Sequence, residues 1–417
     1  MEVEPVEQQA QQKIEQRETA DLVIGIVAEP DSESVTAIRD TVRTLPGSPR
    51  VAILIDDKAL NPRPSDSEAS QAGDSTFLVP WPKLTPDAAG TPMLSMATAY
   101  QSVFAACEEF GAQGCCVVAS RLESAGPEWV RQLLLPLLGN GMDLVAPRYA
   151  RRKFEGLLNS SIVAPLTRCL YGKRIHNPMG PDLGISRRLS QKMPATNGSG
   201  GSAVSRGNPL ASVAPAALCN GLQVCEVNIG ARIYAPTDWT NISSIIAQIL
   251  SPLFVDMERY APCWQRTRAS VSVSAFGDPV AVIQDEGSVD ISRLVESFQL
   301  ANRDLQEIWG LVLPPSTLVE LRKLSRQPVE QFRISDDLWV RIVYDFALGH
   351  RLRIINRDHL LKSMTPLYLA WVASFAQALA SSRESTLEQR LERLAVAYES
   401  GRPYLVSRWR WPDRFNP

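Results

Sequence analysis

The apolar positions change period near residue 240, and the change predicts two kinds of architecture in one chain. Before it, short β-branched runs alternate with helical stretches. Asp21 to Ala28 and Val51 to Ile55 are apolar at nearly every position, the pattern of strands buried on both faces of a parallel sheet. A polar helix over 32–45 joins them and is punctuated by Pro46 and Gly47. Phe77 to Val79 reads as a third strand, Met93 to Phe110 as a helix, and Gln113 to Ala119 as a further buried strand. Pro127 opens another helix through Leu138, at a position where its missing N–H does no harm. Strand character returns at Leu144 and Val145 and again at Leu222 to Val227. This alternation predicts an α/β domain over 20–240 with a mixed, mostly parallel sheet and ligands at the carboxyl ends of its strands. Past residue 240 the spacing is helical: 242–257, 291–309, 318–324, 338–348, 367–379 and 387–398 read as helices, with extended segments at 270–276 and 280–283. Residues 241–417 therefore read as a mainly helical domain.

Composition adjusts this picture in a few places. At 417 residues the chain exceeds the size at which a single core usually stops growing, which agrees with two domains. Residues 1–19, rich in Glu and Gln, read as a disordered tail, and the Gly/Ser/Pro/Ala-rich 195–216 as a mobile loop. Lys plus Arg (43) nearly balances Asp plus Glu (45), so charge gives no reason to expect nucleic acid as a partner. The seven cysteines are an odd number without a Cys-x-x-Cys pair, and they read as reduced thiols of a cytoplasmic protein. Three scattered histidines leave little for a His-rich metal centre. No apolar run is long enough for an integral membrane segment. At the carboxyl end, Trp409 and Trp411 alternate with Arg408 and Arg410, and Arg414 follows. Two readings stand there: aromatics packed inward with arginines outward, or a ligand or partner site.

The stretch richest in candidate chemistry runs from Asp143 to Leu189. A short strand leads into cations (Arg148, Arg151, Arg152, Lys153), then an apolar helix from Leu157 to Tyr171, then a Pro/Gly turn closing on Asp182. One reading is a pocket in which Gly180 and Gly184 let a ligand approach the backbone beside the Asp182 carboxylate. The other is an ordinary turn with Asp182 capping the next segment.

The order Tyr149, Arg151, Arg152, Glu155, Gly156, with Tyr171 to Ser186 after it, resembles the mannosylglycerate and glucosylglycerate synthases. The block from Asp336 to Phe375 resembles their helical domain. These are cytoplasmic glycosyltransferases of the GT-A (Rossmann-like) fold that join a nucleotide-activated sugar to glycerate or a related acid. The resemblance implies an acceptor-binding loop at Arg151, Glu155, Gly156 and Asn159, where a planar guanidinium can pair with a carboxylate through two hydrogen bonds. It implies a catalytic acid at Asp182 and nucleotide-sugar contacts at Asp56 and Asp57, which end the second strand.

On the donor side the chain departs from the family. The metal-holding Asp-x-Asp pair corresponds to Ala119, Ser120 and Arg121, and no carboxylate occurs between Glu109 and Glu123. The family's metal histidine corresponds to Tyr234, and no Asp or Glu lies between Asp182 and Glu226. No divalent metal such as Mg or Mn is expected as cofactor. Two function readings remain. One is a catalytically impaired, glycosyltransferase-like binding or scaffolding protein, its partners a nucleotide sugar, a small hydroxy acid, a second copy of itself or an active paralogous glycosyltransferase. The other is an active metal-independent enzyme in which Arg121, helped by Arg148 or Arg232, takes the ion's place as catalytic and nucleotide-sugar contact. A plain acid-binding module resting on Arg151 is the remaining option.

Overall fold

The structure is a computed structural model that describes residues 19–27, 32–55, 75–80, 92–119, 126–150, 152–193, 209–231, 241–278, 283, 289–381 and 386–412. The chain separates into two compact units: Met1–Pro147, Pro181–Met193 and Leu222–Ile229 form the first, and Arg148–Gly180, Pro194–Gly221 and Gly230–Pro417 the second. The chain thus enters the second unit three times.

In the first unit, β1 (Leu22–Ile26), α1 (Ser32–Arg43), β2 (Val51–Ile55), β3 (Thr76–Pro80), α2 (Pro92–Glu109), β4 (Gly114–Val118), α3 (Pro127–Gly139) and β5 (Leu144–Ala150) succeed one another as the alternation predicts. β6 (Leu183–Ser186) and β7 (Val224–Ala231) complete its strands. They lie in one sheet in the order β7-β5-β6-β4-β1-β2-β3. β1 pairs in parallel with β2 and with β4, and β2 in parallel with β3. β6 runs antiparallel to both β4 and β5. This is the mixed, mostly parallel sheet expected of an α/β domain. Every residue of β1, β2 and β4 is buried, which is why these strands read as unbroken apolar runs.

Two glycines allow close packing here, Gly184 of β6 against α3 and Gly114 of β4 against β6. A Cβ on Gly184 would stand 2.6 Å from the Leu133 carbonyl oxygen of α3, and one on Gly114 would stand 2.8 Å from the Ile185 carbonyl. Gly184 is therefore inside β6, and the space it leaves is taken by a helix backbone. The reading in which Gly184 opens a path for a ligand is corrected by this contact.

The second unit is helical. It contains α4 (Ala164–Tyr171), α5 (Pro209–Cys219), α6 (Ile242–Arg259), α7 (Ile291–Asp304), α8 (Gln306–Val312), α9 (Pro315–Leu324), α10 (Asp336–Leu352), α11 (Arg357–Ser381) and α12 (Leu387–Arg410). From Leu338 to His350 nearly every residue of α10 is buried, so this helix is the centre of the unit. Its core holds Trp264, Trp309, Trp339, Trp371 and Tyr398. The indole N–H groups find carbonyls: Trp309 donates to Ser363 O at 3.0 Å and Trp264 to Met257 O at 2.8 Å.

α5 corrects the expectation of a mobile loop through residue 216. Pro209 to Ala217 are all buried in this helix, because a run of small apolar residues can pack closely even where its composition looks featureless. Residues 194–208, like the 1–18 part of the tail and the extended segment expected at 280–282, lie outside the described residues. At the other end, α12 continues through Gly401 and Pro403 to Arg410. Trp409 packs edge-on against Trp264 with centroids 5.3 Å apart and Arg410 is exposed, whereas Trp411 is 58% exposed and Arg408 is buried, so the reading of aromatics inward and arginines outward holds for Trp409 and Arg410 and is corrected at the other two.

Candidate functional site

Strand order locates the first unit's candidate site before any side chain is considered. The chain leaves β1 toward β2 on one side and later returns to place β4 on the other, so the carboxyl ends of β1 and β4 flank a topological switch point. Val27 N–H donates to Val118 O at 2.9 Å there, and the two strands run side by side to this edge.

Asp182 is placed at that edge. Leu183 pairs with Val117 across the antiparallel ladder, which brings the residue before β6 beside the residue after β4. The Asp182 carboxylate is 0% exposed, and its Oδ1 accepts the Ala119 N–H at 2.8 Å. The Tyr100 hydroxyl donates to the Pro181 carbonyl just before it. Asp182 also lies near Cys116, whose thiol is pushed up first by burial and further by that negative charge. The carboxylate is thus engaged with the backbone at the first of the three positions where a metal-holding pair would stand. Ala119, Ser120 and Arg121 supply no carboxylate, and among the described residues no three His, Cys, Asp or Glu side chains cluster to hold an ion. Asp56 and Asp57 come directly after β2 and Arg121 lies three residues beyond β4, all outside the described residues.

A second buried acid of this unit escaped the sequence reading. Asp143 accepts from Ser186 Oγ at 2.6 Å, from Arg188 Nε and Nη2 at 3.1 and 2.7 Å, and from Gln223 N–H at 2.9 Å. Burial alone would raise its pKa, but these donors together hold it below the usual carboxylate range. The signal in the sequence was an acid directly before an apolar strand. Its role is to tie β5, the start of β7 and the turn after β6 together, and no substrate chemistry is required to explain it.

The expected acceptor loop lies in the second unit, where Glu155, Gly156 and Asn159 share one turn. Glu155 Oε2 accepts the Arg152 N–H at 3.0 Å, closing the turn. Gly156 has φ +59°, a conformation that a side chain would strain. Asn159 begins a π-helical turn, Asn159–Val163, that leads into α4. Such turns widen the backbone and often accompany sites. The Asn159 amide donates to His176 O at 2.8 Å and to Asn177 Oδ1 at 3.2 Å, so it fixes the neighbouring 176–177 segment. His176 and Asn177 were not singled out from sequence, although they sit within the motif that carries the resemblance. Arg151, the expected anion grip, is outside the described residues.

The π-turn is stabilised from behind. Ser161 O accepts both the Trp339 indole at 3.2 Å and the Tyr398 hydroxyl at 2.7 Å. Two helical turns on from Ser161, Arg168 makes a two-pronged pair with Glu392 at 2.6 and 2.9 Å and reaches Glu399 at 2.9 Å. Burial disfavours the guanidinium charge, but these carboxylates more than offset that and its pKa is raised.

The class these features define is an α/β sheet domain with a switch-point edge, accompanied by a helical unit that carries a polar turn. No protein-family model and no curated protein matches the chain. Among solved structures, glucosyl-3-phosphoglycerate synthase from Mycobacterium tuberculosis in complex with phosphoglyceric acid is 17% identical, with a TM-score of 0.37 over 61% of this chain and 85% of that one. The same enzyme with Mn2+, UDP-glucose and phosphoglyceric acid is 16% identical, with a TM-score of 0.37 over 57% and 80%. A structure described as a mycobacterial protein is 18% identical, with a TM-score of 0.38 over 61% and 80%. Likeness at this level transfers no activity to the chain.

Proposed function

We propose that this is a glycosyltransferase-like protein of the GT-A type whose donor side no longer supports metal-assisted sugar transfer, and which acts by binding. The observation that carries this reading is Asp182. Its carboxylate is buried and committed to the Ala119 N–H, at the strand end where the reaction needs groups facing a diphosphate. Asp182 then serves as a positioning residue for the end of β4. Losing even one preorganised charge-stabilising group typically costs about a hundredfold to a thousandfold in rate. Here the metal pair and the metal histidine are both replaced, by Ala119, Arg121 and Tyr234.

The acceptor side keeps more of its parts. Arg151 would pair with the carboxylate of a small hydroxy acid such as glycerate or phosphoglycerate, on a turn held by Glu155, Gly156 and Asn159. The bound partner would be such an acid, a second copy of the chain, or an active paralogous glycosyltransferase. Titration calorimetry with UDP-glucose and with GDP-mannose, each with and without Mn2+, tests the reading. Metal is expected to leave the binding heat unchanged, and a strong Mn2+-dependent affinity would overturn it.

A second reading rests on one sequence observation: Arg121 comes three residues after the last residue of β4. There a guanidinium could neutralise the leaving diphosphate without an ion. It requires sugar transfer to phosphoglycerate in the presence of EDTA, abolished by Arg121→Ala. No turnover with either nucleotide sugar removes it.

A further inference from the structure

Two helices of the second unit end together at one patch of surface. α10 and α12 run side by side in the same direction. Asp336 pairs with Arg390 near their starts, the Tyr344 hydroxyl donates to the Tyr398 carbonyl midway, and Arg351 donates to the Trp409 carbonyl at 2.6 Å near their ends. The Arg351 guanidinium also lies over the Trp409 ring, 4.7 Å from its centroid. Arg410 donates to Gln265 Oε1 at 2.8 Å, which sets the turn after Trp264 beside the same junction.

Apolar and cationic residues alternate around this junction. Leu352, Ile354 and Trp411 are 42%, 39% and 58% exposed, and Trp411 is the most exposed large apolar side chain among the described residues. Arg353 stands between the first two, Arg410 precedes the third, and Arg266 follows Gln265; all three arginines are exposed. Among the described residues no carboxylate pairs with any of them. Glu258 and Asp358, acids of the neighbouring segments, are already engaged with Arg357 and Lys362. The patch is therefore both apolar and positive.

We propose that this patch rests on an anionic lipid surface and holds the protein at a membrane from outside. The proposal stands apart from the reading of the sugar site. No helix among the described residues is long and apolar enough to cross a bilayer, so the contact is with the headgroup layer. An exposed indole suits that layer, being apolar in body and polar at its N–H, and a guanidinium fork pairs with lipid phosphate while its stem lies along apolar surface. Arginines at the carbonyl ends of α10 and α12 also offset the helix dipoles, but that role does not call for an exposed tryptophan beside them. A folded protein partner would need a continuous apolar centre. Here an arginine separates Leu352 from Ile354 and another precedes Trp411, the interleaving of an interfacial surface.

The test is flotation of the full chain with vesicles of phosphatidylcholine alone or of phosphatidylcholine with phosphatidylglycerol. The chain is expected to float with the anionic vesicles, to bind the neutral ones far more weakly, and to be released as salt is raised. Trp411→Ala should weaken partitioning about tenfold. Replacing Arg266, Arg353 and Arg410 together by Gln should weaken it about a hundredfold, roughly fivefold for each cation. Melting temperatures confirm that the variants fold, and because the two variants change different exposed positions, one folded variant is enough. The proposal is overturned by no flotation with anionic vesicles, by equal flotation with neutral ones, or by folded variants that float like the parent. A dimer that Trp411→Ala dissociates, without flotation, gives the patch to a second copy of the chain and overturns it too.

Discussion

Asp345 and His350 are five positions apart on α10, both buried, and they act on stability in opposite directions as pH changes. Asp345 accepts the Tyr404 hydroxyl at 2.8 and 3.0 Å, and Arg408 Nε lies 3.1 Å away, close enough for ion pairing but not aligned as a hydrogen bond. Burial outweighs these partners and pushes its pKa up to about 7. A carboxyl that binds its proton more tightly when folded contributes fully below about pH 4 and loses that contribution as pH rises to about 7. Asp345→Asn keeps an acceptor for Tyr404 and cannot ionise. Its urea midpoint should therefore fall less than the parent's between pH 4 and 7, by the equivalent of roughly 3 kcal/mol.

His350 is held neutral. Its Nε2 is 3.5 Å from Ser251 Oγ, its ring meets Phe254 edge-on, and Nδ1 has no hydrogen-bond partner among the described residues. Burial first, then Arg357 and Arg353, lower its pKa to about 3. Its contribution is complete above about pH 6.5 and is lost as pH falls below that. His350→Gln should remove this acid-side loss, seen as a flatter midpoint between pH 6.5 and 4. At Asp182, truncation to Ala leaves the Ala119 N–H without its acceptor, and a loss of about 1–3 kcal/mol in denaturant titration is expected. Residue identity alone revealed little here. An Asp on a helix looks the same in sequence whether it faces water or Arg408.

At the scale of elements, the sequence was most legible where burial is two-sided. β1, β2 and β4 read almost to the residue, because a strand covered on both faces needs nothing but apolar side chains. It was least legible where packing overrides local punctuation. Gly401 and Pro403 suggest that the last helix ends near residue 398, yet α12 runs to Arg410. Gly401 is small because Val340 Cγ1 and Tyr344 Cε2 would crowd a Cβ at 3.1 and 3.4 Å. Arg402 holds the same turn by donating to Trp264 O at 2.6 Å. Gly184 gave the opposite lesson, since a glycine that suggested a ligand cleft instead admits the backbone of α3. Gly184→Ala should force α3 off β6 and cost about 2–3 kcal/mol by urea titration. Gly141→Ala, at φ +62° with nothing within 4 Å of the added carbon, should cost less, near 1 kcal/mol.

For the molecule as a whole, the C-terminal region is helical as its spacing implies, but the segments from Arg148 to Gly180 and Pro194 to Gly221 also belong to the helical unit. Periodicity sees only neighbours in sequence, whereas α4 finds its partners far downstream. The candidate site was legible in the same uneven way: Gly156 and Asn159 stood out through their motif, while the commitment of Asp182 to a backbone N–H could be seen only in three dimensions. Such threading has a consequence for biosynthesis. Arg168 and Cys169 leave the ribosome more than two hundred positions ahead of Glu392 and the Tyr398 carbonyl, the groups that neutralise the one and cover the other. Until those later residues have been made, the helix lacks the carboxylates and the backbone that cover it, and an apolar face exposed for that long is an aggregation risk during synthesis.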